Sequence, residues 1–510
     1  MTDLPTWQRS ALRRIGYLPP RPVEAWLSGI GCGLMVVCVC LPLAMETPDI
    51  YSIAAVGLVS LWRWLWALLH LLRGCVYRFI VFPRYRSAAA HDKLRVSQLG
   101  VVITSYKMDP EINRLVALSL RADIEDLDPQ QAIVVFSVGN DEDAAVIRQA
   151  FDGHTSRIKL LILYQDGSGK RRAMAEALSA LRDCGIASGN SVLLMDGDTL
   201  VPRGALQNTI PILRMHKDIG ALTVDNKDFV SGPCWVRDWY DLRMMQRHMQ
   251  MCSLSLSERV LVLTGRWSLY RSELALHPSF SAQIARDTLH HWREGRIPLL
   301  TGEDKSTWRW IVEHGYKALY VPDVAVHPLE KLPTANFFSA TVALKRRWYG
   351  NMHRGGLKAI PLGPRKLGWF PWLVLLDQKI SMWTSLTGPI GCISVALLTG
   401  VPELIGLYFI WVLLSRTLHS MIVGALSDGW SPTFPFLMYY SQLIGSLIKV
   451  YAMFHPAQQK WTRQSTGRVA TSSISSGLLA GMAFGIFVLI IIAASLSSMA
   501  AYGYWTAINF

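Results

Sequence analysis

Membrane-length apolar stretches stand on both sides of one long polar stretch, and no single soluble or fully embedded fold accommodates that order. A helix needs about 20 mostly apolar residues to cross the hydrocarbon, and residues 25–44, 53–72, 401–423 and 475–496 each supply such a run. Residues 372–398 and 434–454 are ambiguous, because polar groups interrupt them. Hydrophobic residues make up 51% of the 510-residue chain while 17% are charged, more charge than a chain made only of spans would carry. A soluble domain therefore shares the chain with a membrane domain.

Lys and Arg are enriched on cytoplasmic flanks. Arg9, Arg13, Arg14 and Arg21 precede the first span, Glu46 and Asp49 are the charges between the first two, and Arg73, Arg78, Arg84 and Arg86 follow the second. This pattern predicts a cytoplasmic N-terminus and a cytoplasmic polar domain. The first apolar run is too long, and too poor in small residues at its end, for a cleaved signal. The formal charge of +14 suits anionic lipid or an anionic substrate, with positive-inside bias supplying part of it; nucleic acid is not among the expected partners. Of eight cysteines, Cys32, Cys38 and Cys40 fall in the first span and none forms a CxxC pair. They are expected to be buried and reduced.

Within residues 94–333 short apolar runs alternate with helical patterns, which predicts a layered α/β sheet. Expected strands at 101–103, 132–136, 159–163 and 192–195 end in polar residues, and 111–122 and 171–182 read as helices. Ligands of open α/β sheets bind outside the carboxyl ends of the strands. Asp196-Gly197-Asp198 sits at one such end, and two carboxylates one residue apart can hold a divalent cation and through it a diphosphate. An ordinary Asp-Gly turn is the competing reading. Gly169-Lys170-Arg171-Arg172 opens a helix and could receive an anion, or be a solvated basic start. Gly302-Glu303-Asp304 could supply a carboxylate base for a hydroxyl nucleophile, with Asp304 the candidate, or serve helix capping. Lys345-Arg346-Arg347-Trp348 lies where the polar stretch returns to the membrane; indole and guanidinium together grip a sugar, although both also populate membrane interfaces. Arg63, Arg416 and Lys449 lie in or near apolar stretches, where charges are functional candidates unless they snorkel or pair, as Asp377 could with Lys379.

These motifs, with Gln246-Arg247-His248, Thr264-Gly265-Arg266, Leu300-Thr301-Gly302-Glu303-Asp304-Lys305-Ser306, Arg347-Trp348-Tyr349-Gly350-Asn351, Asp377-Gln378 and Trp461-Thr462-Arg463-Gln464, carry a resemblance. The chain resembles the processive family 2 glycosyltransferases, the group of the cellulose, chitin and hyaluronan synthases, and within it the mannuronan synthases of bacterial alginate formation. The resemblance implies an α/β, GT-A-like nucleotide-sugar transferase domain at 93–335, set between an N-terminal hairpin of two spans at 1–92 and interfacial helices with a C-terminal membrane region at 336–510. It implies that Thr104, Ser105, Lys170, Asp196 and Asp198 meet the donor, with Asp196 and Asp198 around Mg²⁺ or Mn²⁺. Asp304, beside Glu303, would be the base; Arg266, Arg347 and Trp348 would hold the acceptor; Trp461, Thr462 and Arg463, in a segment at 458–468, would gate the donor.

The implied reaction is one inverting displacement that extends β-1,4-polymannuronate from GDP-mannuronate at a bacterial inner membrane. The chain ends soon after its last apolar run, so the resemblance further implies a separate cyclic di-GMP-binding membrane co-polymerase and periplasmic export machinery, besides membrane lipid. Two departures stand out. Ser137-Val138-Gly139-Asn140 replaces the usual Asp-Asp-Gly, and Leu344 replaces the glutamine of Gln-x-x-Arg-Trp. Placing Trp461 in the cytoplasm predicts five crossings, with 434–454 lying at the interface; six remain open. A non-processive transferase acting on a lipid carrier, another polysaccharide synthase, and a non-catalytic export subunit are the alternative classes.

Overall fold

The computed structural model describes residues 4–19, 50–92, 95–153, 156–427 and 429–459. The apolar runs at 25–44 and 475–496 and the segment Trp461-Thr462-Arg463 lie outside the described residues.

The polar stretch forms a ten-stranded mixed sheet. Its strands are β1 (Tyr17–Leu18), β2 (Gln98–Thr104), β3 (Gln131–Val138), β4 (Ile158–Tyr164), β5 (Ser191–Asp196), β6 (Thr199–Leu200), β7 (Ile219–Asn226), β8 (Phe229–Ser231) and β9 (Ser268–Arg271). A separate hairpin, β10 (Thr288–His291) with β11 (Gly295–Pro298), precedes the last sheet strand, β12 (Lys317–Lys331). Four neighbours in the order β5-β2-β3-β4 run parallel. The expected apolar runs are these four strands. Val101, Val102, Ile103, Val134, Val135, Phe136, Leu193 and Leu194 are all buried, because a parallel sheet covered on both faces hides every side chain and loses period-two alternation. β9 runs antiparallel between β5 and β7, and β12 runs parallel to β7 and β8.

The strand order reverses between β2 and β5, which opens a crevice at their carboxyl ends. There Thr104 and Asp196 are register partners. The expected helices are Pro110–Leu127 and Lys170–Asp183. The first is capped by Asp109, whose side chain accepts from the Glu111 amide at 2.9 Å, with Pro110 in its first turn, a placement that costs no hydrogen bond. Asn140 caps Asp141–Phe151 by accepting from the Asp143 amide at 2.7 Å. The stretch that departs from the Asp-Asp-Gly pattern thus ends in a helix cap.

Two described helices are long and apolar enough to cross a membrane, Trp62–Ala90 and Glu403–Ser427. Residues 372–398 and 434–454 fall in helices Trp369–Thr399 and Phe434–Phe454, which pack on each other and on Glu403–Ser427. Arg63 pairs with Asp377 at 2.7 Å across two helices. The expected Asp377–Lys379 pair does not form; Lys379 instead donates to the His353 carbonyl at 3.2 Å, since residues two apart on a helix point different ways. Cys252 is buried as expected, but Cys234 is exposed at the start of helix Cys234–Ser255, so burial does not hold for every cysteine.

The Ile50–Val76 helix widens into a π-helical turn, Tyr77–Val81, before Phe82–Ala90. Pro83 follows that turn, and a proline lacks the N–H an unbroken α-helix uses. The turn aims Tyr77 into the catalytic sheet, where it is fully buried and donates to the Tyr320 carbonyl of β12 at 2.6 Å. Tyr77→Phe leaves that carbonyl unmet and is predicted to cost about 1–3 kcal/mol. Tyr77→Ala adds a cavity and is predicted to cost about 3–5 kcal/mol; thermal unfolding of the detergent-solubilised protein measures both.

Candidate active site

The Asp196-Gly197-Asp198 turn is pressed onto the end of β2. The Gly197 amide donates to the Thr104 carbonyl at 3.0 Å, and a Cβ at position 197 would stand 2.6 Å from the Ser105 Cβ. Only glycine permits that approach. Ser105 is fully buried beneath the turn, and its hydroxyl donates to Asn113 Oδ1 at 2.6 Å. Asn113 Nδ2 in turn donates to Asp143 Oδ1 at 2.7 Å. Gln165, just beyond β4, donates to the carbonyls of Ser105 and Ser137 at 3.1 Å each. The Ser105 side chain therefore braces the crevice from below. Thr104 keeps a buried Oγ1 without a hydrogen-bond partner.

Lys170, first residue of its helix, reaches Asp196 Oδ1 at 2.5 Å and also pairs with Glu303 Oε1. The 264–266 loop closes over this bridge: a Cβ on Gly265 would lie 3.0 Å from Lys170 Nζ and 3.2 Å from Asp196 Oδ2. Arg171, also buried, donates to the Thr301 carbonyl and to Ser306 Oγ at 3.0 Å each. Two consecutive residues of one helix thus position the start of another, Glu303–Glu313. That helix is entered through Gly302, and Asp304 in its first turn accepts from the Lys305 amide at 2.9 Å. The expected side-chain N-cap is absent: Gly302 holds the cap position and Asp304 lies within the first turn, where its charge suits the helix N-terminus.

Burial opposes the charge on Lys170, but Asp196 and Glu303 outweigh it and hold the ammonium well above the ordinary lysine range. Burial likewise works to raise Glu303, yet Lys170 and then Arg171 dominate and its pKa falls to about 2. The neighbouring Asp304 moves the other way, raised by burial and then by repulsion from Glu303. Two adjacent carboxyls driven apart in pKa is the pattern of a fixed anion beside a tunable base.

Asp196 and Asp198 offer hard oxygen donors of the kind Mg²⁺ or Mn²⁺ takes together with phosphate oxygens. Among the described residues no group of three or more His, Cys, Asp or Glu side chains that could hold a metal ion gathers. Asp198 lies near enough to Arg347 to support its charge, as does Glu303, against the burial that lowers it. Asp198, Glu303 and Arg347 are therefore electrostatic neighbours.

Trp348 stacks on Trp239 with centroids 5.8 Å apart and planes 20° apart, and the Arg243 guanidinium sits 3.0 Å from the Trp348 ring centroid. Leu344, at the position of the missing glutamine, is buried against Val230, Val236, Trp239 and Tyr240, a site with no use for an amide. Arg266, expected to hold the acceptor, already carries protein carboxylates, pairing with Asp228 at 3.4 Å and with Glu330.

Arg243, Asp228, Glu330 and Gln459 escaped sequence reasoning. The four-residue spacing of Trp239, Arg243 and Arg247 was the available sign. Gln459 had none: its carbonyl accepts from the Leu300 amide at 3.0 Å and its amide donates to the Pro298 carbonyl at 2.9 Å. It ties the chain just before Trp461 to the loop that carries Glu303.

A family model described as glycosyltransferase like family 2 matches residues 97–351, and the chain belongs to this family. Its transferase domain has the GT-A-like fold. Over 417 residues it is 34% identical to the glycosyltransferase alg8 of Pseudomonas syringae pv. tomato, covering 81% of this chain and 84% of that one. It is 33% identical over 445 residues to the glycosyltransferase alg8 of Azotobacter vinelandii, covering 85% and 88%. Among solved structures, the mannosyltransferase PcManGT from Pyrobaculum calidifontis in complex with GDP-Man and Mn²⁺ is 18% identical, covers 75% of this chain and 98% of its own, and has a TM-score of 0.40.

Lys170→Met leaves the buried Glu303 carboxylate facing the partly exposed Asp196 carboxylate without a cation between them and is predicted to destabilise the protein by about 3–5 kcal/mol. The sign with pH follows from Glu303. Its depressed pKa contributes stability above the unfolded value of about 4.3 that is lost as pH falls toward 2. Without Lys170 that contribution disappears and repulsion replaces it. The deficit of Lys170→Met relative to wild type is therefore predicted to stay constant between pH 7 and pH 5 and to shrink as pH falls from about 4.3 toward 2 in thermal unfolding.

Proposed function

We propose that the chain is a membrane-embedded, processive glycosyltransferase that transfers mannuronate from GDP-mannuronate to the 4-hydroxyl of a growing β-1,4-polymannuronate chain and helps pass that chain across the inner membrane. The observation that carries the reading is the meeting of Lys170, Asp196, Asp198 and Glu303 with Asp304 and the Arg347-Trp348 pair at the β2/β5 crevice. The likeness to the two alg8 glycosyltransferases over most of their lengths supports it. In this reading the polar domain faces the cytoplasm, the protein spans the membrane several times, and a separate cyclic di-GMP-binding subunit activates it.

The donor's diphosphate lies against Lys170 and the Asp196–Asp198 turn. Mg²⁺ or Mn²⁺ held there by the two aspartates would supply countercharge for the diphosphate. Arg347 and Trp348 hold the acceptor end so that its 4-hydroxyl faces Asp304. The hydroxyl oxygen forms the new bond to the anomeric carbon as its proton passes to the Asp304 carboxylate. The bond from that carbon to the diphosphate breaks, the electron pair leaves with the nucleoside diphosphate, and the anomeric configuration inverts. Glu303, held ionised by Lys170, keeps the Asp304 carboxyl basic enough to take the proton.

Membranes bearing the chain, given labelled GDP-mannuronate, Mg²⁺, cyclic di-GMP and the partner subunit, should form high-molecular-weight product that a mannuronate lyase degrades. Asp304→Asn should lower the rate by about 10²–10⁴-fold. Product from another sugar nucleotide, and none from GDP-mannuronate, would overturn the substrate. The base works ionised and its pKa is raised, so transfer should fall as pH drops through a value above the ordinary aspartate pKa of about 3.9. A pH profile of initial rates should show this acidic limb displaced upward.

A further inference from the structure

Helix Cys234–Ser255 packs against the Ile50–Val76 helix and against Glu403–Ser427 and Phe434–Phe454. It carries Trp239, Arg243 and Arg247 at four-residue intervals, hence on one face with a rise of about 6 Å per step. Trp239 stacks on Trp348, Arg243 lies over Trp348, and Arg247 lies 5.8 Å from the ring centroid of Tyr320.

These two arginines are short of acceptors. Nη1 of Arg243 and both Nη1 and Nη2 of Arg247 are closed to solvent and have no hydrogen-bond partner among the described residues. The carboxylates around them make their hydrogen bonds and ion pairs with other groups: Asp228 Oδ1 and Glu330 pair with Arg266, and Asp225 with His248 at 3.2 Å and with the Tyr320 hydroxyl at 2.6 Å, while Asp228 Oδ2 is buried without a hydrogen-bond partner and its charge supports both arginines. Burial and then Arg266 pull the Arg243 pKa down to about 9, and the opposing influence of Tyr349, Tyr240 and Asp228 does not offset them. A buried guanidinium with unmet N–H groups is costly, and its natural complement is a carboxylate, which takes two of its donors at once.

We propose that Arg243 and Arg247 form a carboxylate-binding subsite for the acceptor chain, reading acidic sugars behind the end held by Trp348. The inference rests on the acceptor role proposed above for Trp348. It makes selection of an acidic over a neutral polymer a property of the acceptor path as well as of the donor pocket. The two arginines are specificity-determining residues; they do not touch the reacting atoms.

The test uses the full chain in detergent, with equilibrium binding of two oligosaccharides of equal length: β-1,4-linked mannuronate and its carboxyl-reduced, neutral counterpart. Wild type is expected to favour the acidic one by about tenfold or more at fixed ionic strength. Arg243→Met with Arg247→Met should bring that ratio close to one, while Arg243→Lys with Arg247→Lys keeps part of it, because charge survives and the two-pronged geometry does not. Should the methionine variant lose its thermal transition, Arg247→Gln alone carries the test, with a several-fold drop in the ratio expected. An unchanged ratio in these variants, or no preference in wild type, overturns the subsite. Polymer made from a neutral sugar nucleotide would sink the proposed substrate, whereas an arginine-dependent preference for the acidic oligosaccharide would still stand as a separate result.

Discussion

The Lys170 ammonium, held between Asp196 and Glu303, is the constraint on which the site depends. It joins three elements distant in sequence: the carboxyl end of β5, the start of the Lys170–Asp183 helix and the start of the Glu303–Glu313 helix. An ammonium in so dry a place is stable only because two carboxylates face it. Those carboxylates are likewise tolerable only because of the ammonium. The result is a fixed distribution of charge: Glu303 stays an anion, Asp304 beside it is made more basic, and the Asp196 side chain is aimed before any ligand arrives. Arg171 repeats the join one residue on through neutral acceptors, Thr301 and Ser306.

The long apolar helices are built into this arrangement. Tyr77 enters the sheet from a π-helical turn and meets Tyr320, whose hydroxyl donates to Asp225, which in turn pairs with His248 on the helix that carries Arg243. Burial opposes the charge on His248, but Asp225 prevails and raises its pKa to about 9. The helix that carries Tyr77 and the one that bears Arg243 and Arg247 thus share a hydrogen-bonded anchor. The Gln459 contacts with residues 298–301 add a tether from the far side, linking the Phe434–Phe454 helix to the loop before Glu303.

Much of the fold was legible. β2, β3 and β5 read as apolar runs because parallel strands covered on both faces are buried, whereas β4 is an apolar run at the sheet edge whose side chains are mostly half-buried; the ends of β2 and β5 carried Thr104 and Asp196 as neighbours. β1, β9 and the long β12 were not legible. β1 is two residues long, β9 four, and β12 contains Pro322 and Pro328, which disguise a strand. In the site, residue types and order disclosed Lys170, Asp196, Asp198, Glu303 and Asp304. They did not disclose that the Ser105 side chain faces inward, since one residue beyond a strand end decides the side. Nor did they disclose the Arg63–Asp377 pair, because pairing across helices leaves no spacing in the sequence.

The most direct test of the account is a structure of the full chain with GDP and Mg²⁺ bound. It should show the diphosphate between Lys170 and the Asp196–Asp198 turn, with Asp304 facing the open side of the β-phosphate where a sugar would stand. A nucleotide seated away from the β2/β5 crevice, with the Lys170 bridge undisturbed and Asp304 turned from it, would contradict the assignment of donor site and base together.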